Sequence, residues 1–130
     1  MSRIVLLSIA GLLSLPVAAS SFERDKTTPQ EVFDAMRVAF RPDKARGVHA
    51  RYQFLVSGPH GGEWWIEVND GRNKMGRGRI ENPDVTLVAS DRDWVAISNN
   101  KLSGIWASLT GRLKVRGSQT LARKLDEMFP

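Results

Sequence analysis

The strongest constraint on the fold is an alternation of apolar and polar residues between positions 48 and 57. Its apolar members recur at every second position: Val48, Ala50, Tyr52, Phe54 and Val56. Successive side chains of a β-strand point to opposite faces of a sheet, so this spacing predicts a strand with one buried and one solvated face. Such a strand needs an apolar layer packed against it, which excludes an all-helical fold.

Four further strands are predicted by patterns of the same kind. Asp70-Gly71, a strong hairpin signal, separates the second strand from the third, which is the most polar and which we expect at a sheet edge. The fourth has little polar interruption, so we expect both of its faces to be covered. The five predicted strands occupy residues 48–57, 63–69, 72–78, 84–89 and 112–116.

Helices are predicted before, between and after these strands. Thr28 supplies an N-cap hydroxyl, Pro29 suits the first helical position, and Glu31 completes a capping box. Ser90 and Ser118 are placed as caps of two later helices. Between those two a further amphipathic helix is predicted, because apolar residues recur at i, i+3, i+4 and i+7, at Leu102, Ile105, Trp106 and Leu109.

The order of these elements predicts an α/β (α+β) fold. One helix precedes four strands, two helices follow, and a fifth strand and a last helix complete the order. We expect an antiparallel meander of four strands and then a helical crossover to the fifth. The result is a five-stranded, mixed and mainly antiparallel sheet covered by helices.

The first nineteen residues have the composition of a targeting segment. Arg3 precedes an uncharged apolar run, and Val17 and Ala19 suit the small-residue positions before a cleavage at Ser20. A membrane-spanning helix needs about 20 apolar residues, so a signal peptide is favoured over an uncleaved anchor, which remains the alternative. We expect a signal peptide at 1–19, a linker at 20–28, a folded domain at 29–130, and export to the periplasm or the medium. Without a signal peptide the protein would be cytoplasmic.

The net charge favours contact with anionic surfaces. Without residues 1–19 the chain contains 18 lysines and arginines against 14 acidic residues, and an excess of this sign attracts phospholipid headgroups or nucleic acid. Nucleic acid is disfavoured, because alternating cations on strands are typical of the wet face of a sheet and acidic neighbours dilute them. The simpler interpretation of this charge is a solvated, soluble surface, which is favoured, and transient contact with an anionic membrane surface is the alternative. We expect no nucleic acid as a partner, and a monomer.

The sequence offers little catalytic chemistry. It contains no cysteine and two histidines, of which His60 lies in a glycine-proline turn and His49 at the start of a strand. Asp91 and Asp93 are explained as acidic residues in the first turn of a helix. Walker A, Gly-x-Ser-x-Gly and His-Glu-x-x-His motifs are missing from the sequence. We therefore expect no catalytic residue, no metal site and no cofactor, and a protein that is not an enzyme.

Five segments resemble the sterol carrier protein 2 domain in the same order and spacing. They are PQEVF at 29–33, YQFLVSG at 52–58, GEWWIEVNDG at 62–71, NPDVTL at 82–87 and TGRLKVRG at 110–117. The resemblance spans about residues 29–130. It implies a helix-covered five-stranded sheet around an apolar tunnel that accepts sterols, fatty acyl chains or related lipids and performs no chemistry.

The resemblance also implies which residues contact the lipid. The tunnel should be lined from the helix that contains Leu102, Ile105, Trp106 and Leu109 and closed by the terminal helix. The predicted lipid-binding residues are Phe54, Trp94, Leu102, Ile105, Trp106, Leu109, Leu121, Leu125, Met128 and Phe129.

One of these residues leaves a second function open. Trp106 stands where the family commonly has smaller or more flexible groups, so it could shorten or fill the tunnel. The alternative is an accessory or scaffold protein of lipid or quinone metabolism with a filled core. An apolar mouth near Phe129 would favour the carrier, whereas an apolar patch on the surface would favour the scaffold.

Overall fold

Ten helices and strands follow one another in the computed structural model, which describes residues 25–130. The predicted signal peptide and residues 20–24 of the predicted linker lie outside the described residues. In chain order the elements are α1 (Pro29–Ala39), a 3-10 helix (Pro42–Ala45), β1 (His49–Ser57), β2 (Gly62–Asn69), β3 (Arg72–Arg77), β4 (Val85–Ser90), α2 (Asp91–Ser98), α3 (Gly104–Leu109), β5 (Leu113–Gly117) and α4 (Gln119–Met128).

The strands form one sheet in the order β3-β2-β1-β4-β5. Three neighbouring pairs are antiparallel, and β1 and β4 run parallel with Tyr52 opposite Val85. The prediction of a five-stranded, mixed and mainly antiparallel sheet is confirmed, as is the edge position of β3. The predicted four-stranded meander is wrong, because the chain crosses back after β3 and β4 pairs with β1.

The crossing segment between β3 and β4 is fixed by a buried side chain of β1. Gln53 Nε2 donates to the carbonyl oxygens of Trp64 and Gly78, each at 2.9 Å. Gln53 Oε1 accepts from the backbone N–H of Ile80, also at 2.9 Å. The alternation predicts a solvated position for Gln53, yet the residue is only 2% exposed. Its three hydrogen bonds explain how an amide is kept in the interior.

The helices of residues 25–130 pack on one face of the sheet. Phe33 of α1 lies edge-on to Phe54 of β1, with 5.0 Å between the ring centroids, and Leu87 of β4 is opposite Phe54 and buried. Thr86 and Val88, on either side of Leu87, point to the other face and are half-buried. The prediction that both faces of β4 are covered is therefore wrong.

Serine and threonine hydroxyls cap the helices. Thr28, Ser90 and Ser118 accept hydrogen bonds from backbone N–H groups three residues later, at 3.1–3.2 Å, as the predicted caps require. Ser103 caps α3 by accepting from the N–H of Trp106 at 3.3 Å. Because α3 begins only after Ser103, Leu102 lies outside the helix in which the sequence places it.

Candidate functional site

The ten predicted lipid-binding residues fall into three groups by exposure. Five are buried in the core: Phe54, Trp94, Leu125, Met128 and Phe129. Two are partly buried and pack against it: Leu102 and Leu121. Three are exposed: Ile105 at 77%, Trp106 at 59% and Leu109 at 75%.

An aromatic cluster occupies the core between the sheet and the first two helices. Phe33 stacks on Trp64 at 4.8 Å and on Trp94 at 5.8 Å between ring centroids, and Trp94 lies 5.3 Å from Phe54. Of the predicted residues, this cluster brings together Phe54 and Trp94. It joins α1, β1, β2 and α2 into one packed unit.

Trp94 contains a polar atom without a partner. The residue is 7% exposed, and its indole Nε1 is the one buried side-chain nitrogen or oxygen of residues 25–130 that has no hydrogen-bond partner. Leaving a buried donor unsatisfied costs about 1–3 kcal/mol. An oxygen atom brought next to this nitrogen would therefore be stabilised by a hydrogen bond.

The terminal helix α4 is fastened at both ends. Near its start, the Tyr52 hydroxyl donates to the carbonyl oxygen of Leu121 at 2.7 Å. Burial, with a smaller contribution from the charge of Asp84, raises the pKa of Tyr52 well above its usual range, so the phenol stays a neutral donor. At the other end, the N–H of Arg41 donates to the carbonyl oxygen of Met128 at 2.8 Å. Both bonds hold the buried side chains of α4 against the core.

The short helix α3 is attached far less firmly. Ala107 is its one buried residue, at 0% exposure, and the helix packs chiefly on β5. Ile105, Trp106 and Leu109 lie within about 100° of one another around the helix axis, on the side away from Ala107. We call these three side chains the apolar face of α3.

The sequence predicts that the apolar face of α3 lies in the protein interior. This prediction is wrong, because the structure exposes all three side chains. The periodicity identifies correctly which side chains share a face. It cannot show what that face contacts, and the small side chain of Ala107 is the one that packs inwards. Trp106 is mostly exposed rather than packed in the core. Contact of the three side chains with lipid stays a prediction.

Two clefts of the described residues lie away from the predicted lipid-binding set. The larger, of about 320 Å³, is lined by residues that include His60, Asp91 and Lys101. The Asp91 carboxylate accepts from the backbone N–H of His60 at 3.0 Å, and this hydrogen bond, with a further one from the N–H of Arg92, keeps the pKa of Asp91 below its usual range. The hydrogen bond from His60 to Asp91 joins the turn after β1 to the start of α2 at this cleft. The apolar tunnel stays a prediction.

The described part of the chain offers no metal site of ordinary composition. Within residues 25–130, histidine and acidic side chains do not gather in groups of three or more that could hold an ion.

The longest α-helix of residues 25–130 has 11 residues, and no helix among them has the length and apolarity to cross a bilayer. Of the two acidic residues in the first turn of α2, Asp93 forms an ion pair with Arg112 at 2.6 Å.

The charge is distributed unevenly along the chain, which the overall net charge does not reveal. Between positions 94 and 125 there are six lysines and arginines and no aspartate or glutamate. A separate count for each segment would have found this. The stretch contains most of α2, all of α3 and β5, and most of α4, so it surrounds the apolar face of α3 in the chain.

Comparisons with known proteins agree with this fold. Residues 34–130 match the SCP-2 sterol transfer family. Hydroxysteroid dehydrogenase-like protein 2 of Rattus norvegicus is 30% identical over 101 residues, which cover 77% of this chain and 19% of the relative. The chain spans less than a third of the length of the curated relatives it matches.

Solved structures show the same architecture. The sec-alkylsulfatase Pisa1 from Pseudomonas sp. matches with a TM-score of 0.70 and 19% identity, over 79% of this chain and 16% of that one. Palmitated SCP2L2 from Aedes aegypti matches with a TM-score of 0.67 and 23% identity, over 79% of this chain and 95% of that one. The resemblance predicted from five sequence segments is confirmed: the chain belongs to the SCP-2 sterol transfer family.

Proposed function

We propose that this protein binds a fatty acyl chain, a sterol or a related lipid between its sheet and its helices, and carries it without altering it chemically. Family membership is the observation that carries the proposal. The palmitated Aedes aegypti structure shows that a relative with this fold takes a fatty acyl ligand. The apolar residues buried between the sheet and the helices supply the matching surface here.

Burial of the ligand supplies the binding energy. Each buried methylene contributes about 0.8 kcal/mol, so a long acyl chain gains on the order of 10 kcal/mol before the costs of association are deducted. Discrimination among lipids is weak, because one methylene changes the binding free energy by only about 1–3 kcal/mol. We expect micromolar or tighter binding of several lipids rather than selection of one.

The lipid enters beside α3. The terminal helix is fastened by hydrogen bonds at Leu121 and Met128, whereas α3 contributes only Ala107 to the core. Displacing α3 therefore costs less than displacing α4. Leu102, two residues before α3, and Leu121 of α4 are partly buried against the core, and we propose them as the first contacts of an incoming chain.

Native mass spectrometry of the full chain, purified without detergent, tests the proposal. We expect a copurified lipid at near one-to-one stoichiometry, which organic extraction then identifies. Leu121→Glu should abolish this lipid and the uptake of a fluorescent fatty acid. Val38→Glu, at an exposed apolar position of α1, should leave both unchanged. A folded wild-type protein that is empty and takes up no fatty acid would contradict the carrier function.

A scaffold function is the second candidate, and the exposed apolar face of α3 favours it. A patch of this kind can bind a partner protein. The domain also makes up a minor part of longer relatives, including a sulfatase structure. An empty protein in the experiment above would favour the scaffold over the carrier.

The place of action is a further proposal. If residues 1–19 are a signal peptide, the protein is exported, and N-terminal sequencing of the native protein should begin at Ser20. A native chain that still begins at Met1 would contradict this.

We also infer that the protein is a monomer and binds no nucleic acid. Size-exclusion chromatography tests the first property, and a filter-binding assay tests the second.

A further inference from the structure

The second half of α2 is packed less firmly than its first half. Asp91 and Trp94, near its start, are the two buried residues of this eight-residue helix. Ile97 is only partly buried against the core, as is Leu102 in the turn that follows the helix. The same turn contains Asn100, whose φ of 60° lies in the left-handed region. The end of α2 and this turn can therefore move at low cost.

Residues 25–27, which we call the strap, hold this end of α2. The backbone N–H of Lys26 donates to Asn99 Oδ1, and Asn99 Nδ2 donates to the carbonyl oxygen of Lys26, each at 2.9 Å. Lys26 Nζ donates to the carbonyl oxygen of Ser98 at 3.3 Å. The side-chain amide of Asn99 thus pairs with the strap through one donor and one acceptor, as the backbone of a neighbouring β-strand would.

The other side of the strap is fixed to α1. Thr27 donates through its backbone N–H and through its hydroxyl to Glu31 Oε1, each at 2.7 Å. Thr28, the next residue, caps the same helix, and Pro29 in its first turn is buried. Phe33 holds α1 on the sheet through its ring contacts with β1 and β2. The strap therefore ties the end of α2 to a firmly packed helix.

We propose that the strap controls lipid exchange: it keeps the end of α2 closed and releases Asn99 when a lipid enters or leaves. This role rests on the carrier function proposed above. The entry beside α3 directly follows the residues that the strap holds, because Leu102 lies three positions after Asn99 and two before α3. Outward movement of this segment uncovers Leu102 and Ile97, which are partly buried against the core.

The strap changes the rates of exchange and not the affinity for lipid. The hydrogen bonds of Asn99 break for the passage of the lipid and form again once it is inside, so they stabilise the empty and the loaded protein equally. Residues 25–27 follow Ser20, and they stay in the chain whether or not a signal peptide is removed there.

The amide pair of Asn99 and Lys26 contributes more to this closure than the ion pair beside it. Asp25 and Lys101 lie 3.5 Å apart, but both side chains are exposed. An exposed ion pair contributes little and is screened by salt. We therefore expect the exchange rates to respond only weakly to salt.

Stopped-flow exchange of a fluorescent fatty acid by the full chain tests the strap. Asn99→Ala removes both hydrogen bonds, and the φ of −90° at this position suits alanine. We expect uptake and release to accelerate together by about tenfold or more, as the loss of two hydrogen bonds predicts, with an unchanged Kd. Asn69→Ala, at an exposed asparagine at the end of β2, is the matched control and should exchange lipid like the wild type. Thermal midpoints should show that both variants are folded.

Amide hydrogen exchange detects the opening without any lipid. The backbone N–H groups of Lys101 and Leu102 both donate to the carbonyl oxygen of Ala96, at 2.8 and 3.2 Å. In Asn99→Ala these two groups should exchange about tenfold faster than in the wild type, because the segment opens more often. The N–H of Ile66, in the middle of β2, should exchange at an unchanged rate.

Failure of the strap and failure of the carrier function give different results. A wild type that takes up fatty acid, with equal rates in Asn99→Ala, would overturn the role of the strap and leave the carrier function intact. Weaker binding at an unchanged uptake rate would show that Asn99 supports the bound lipid instead. Unchanged hydrogen exchange at Lys101 and Leu102 would show that the strap does not hold this segment closed. A wild type that takes up no fatty acid would overturn the carrier function, and control of lipid exchange with it.

Discussion

Gln53 shows how one buried amide positions a whole strand. Its three hydrogen bonds tie the crossing segment to β1 and β2, which lets β4 return beside β1. Gln53→Met keeps the size of the side chain and removes all three bonds. We expect the free energy of unfolding, measured in urea, to fall by about 2–3 kcal/mol, because two carbonyl groups and one N–H lose a partner.

Gln119→Met is the matched control for this variant. Gln119 is exposed, and its amide makes only a long contact of 3.4 Å to the carbonyl oxygen of Val115. A change within about 0.5 kcal/mol is expected there. Similar losses for the two variants would show that the hydrogen bonds of Gln53 do not fix the crossing segment.

The unpartnered indole N–H of Trp94 gives a second prediction at the scale of one residue. We expect a lipid oxygen to accept a hydrogen bond from it, since the buried donor has no other partner among the described residues. Trp94→Phe should then weaken fatty acid binding by about tenfold, the equivalent of one hydrogen bond. Titration calorimetry measures the binding, and an alkane of equal length is the control ligand. If Trp94→Phe acted only by repacking the core, the binding of both ligands would weaken equally.

At the scale of elements, an ion pair joins α2 to the segment between α3 and β5. Arg112 donates to the Asp93 carboxylate through Nε at 3.2 Å and Nη2 at 2.6 Å, and it holds the pKa of Asp93 below its usual range. The stabilisation is present above the unfolded-state pKa of Asp93 and is lost as the pH falls through the folded-state value. Arg112→Gln should therefore lower the urea midpoint at pH 7, and the difference should disappear in acid.

Lys114→Gln is the control for the ion pair, because it removes one cation from the neighbouring strand. Lys114 is exposed and forms no ion pair within residues 25–130. Its urea midpoint should match the wild type at both pH values. A difference between Arg112→Gln and the wild type that persists in acid would exclude the pair as its cause.

The helices and strands themselves could be predicted from the sequence, whereas the pairing of the strands in the sheet could not. The alternation at Tyr52 and Phe54, the hairpin at Asp70-Gly71 and the caps at Ser90 and Ser118 are local signals, and each element appeared where expected. The pairing of β4 with β1 depends on contacts between distant residues, which no local period encodes.

The candidate site shows the same limit at α3. The spacing of Ile105 and Leu109 correctly indicated a shared apolar face. Burial of that face was assumed from the general tendency of apolar residues to lie inside. Its exposure depends on Ala107, whose small side chain lets the opposite side of the helix pack on the core.

At the scale of the whole molecule, the position of the charge should matter more than its amount. Lys114→Gln with Arg116→Gln removes two exposed cations of β5, which pair with Val88 and Thr86 on the face of the sheet away from the helices. We expect binding to anionic vesicles to fall roughly tenfold or more, because each cation near the surface contributes about 1 kcal/mol. The dependence of binding on salt should become shallower in the same variant.

Lys44→Gln with Arg46→Gln is the matched control for this effect. It removes one exposed lysine and one exposed arginine at the same spacing, from the 3-10 helix and the residue that follows it. Both double variants have the same net charge, so attraction that depended on net charge alone would weaken equally in the two. A loss confined to the Lys114 and Arg116 variant, read by vesicle sedimentation at low and high salt, would place the membrane on the face of the sheet that the helices leave uncovered.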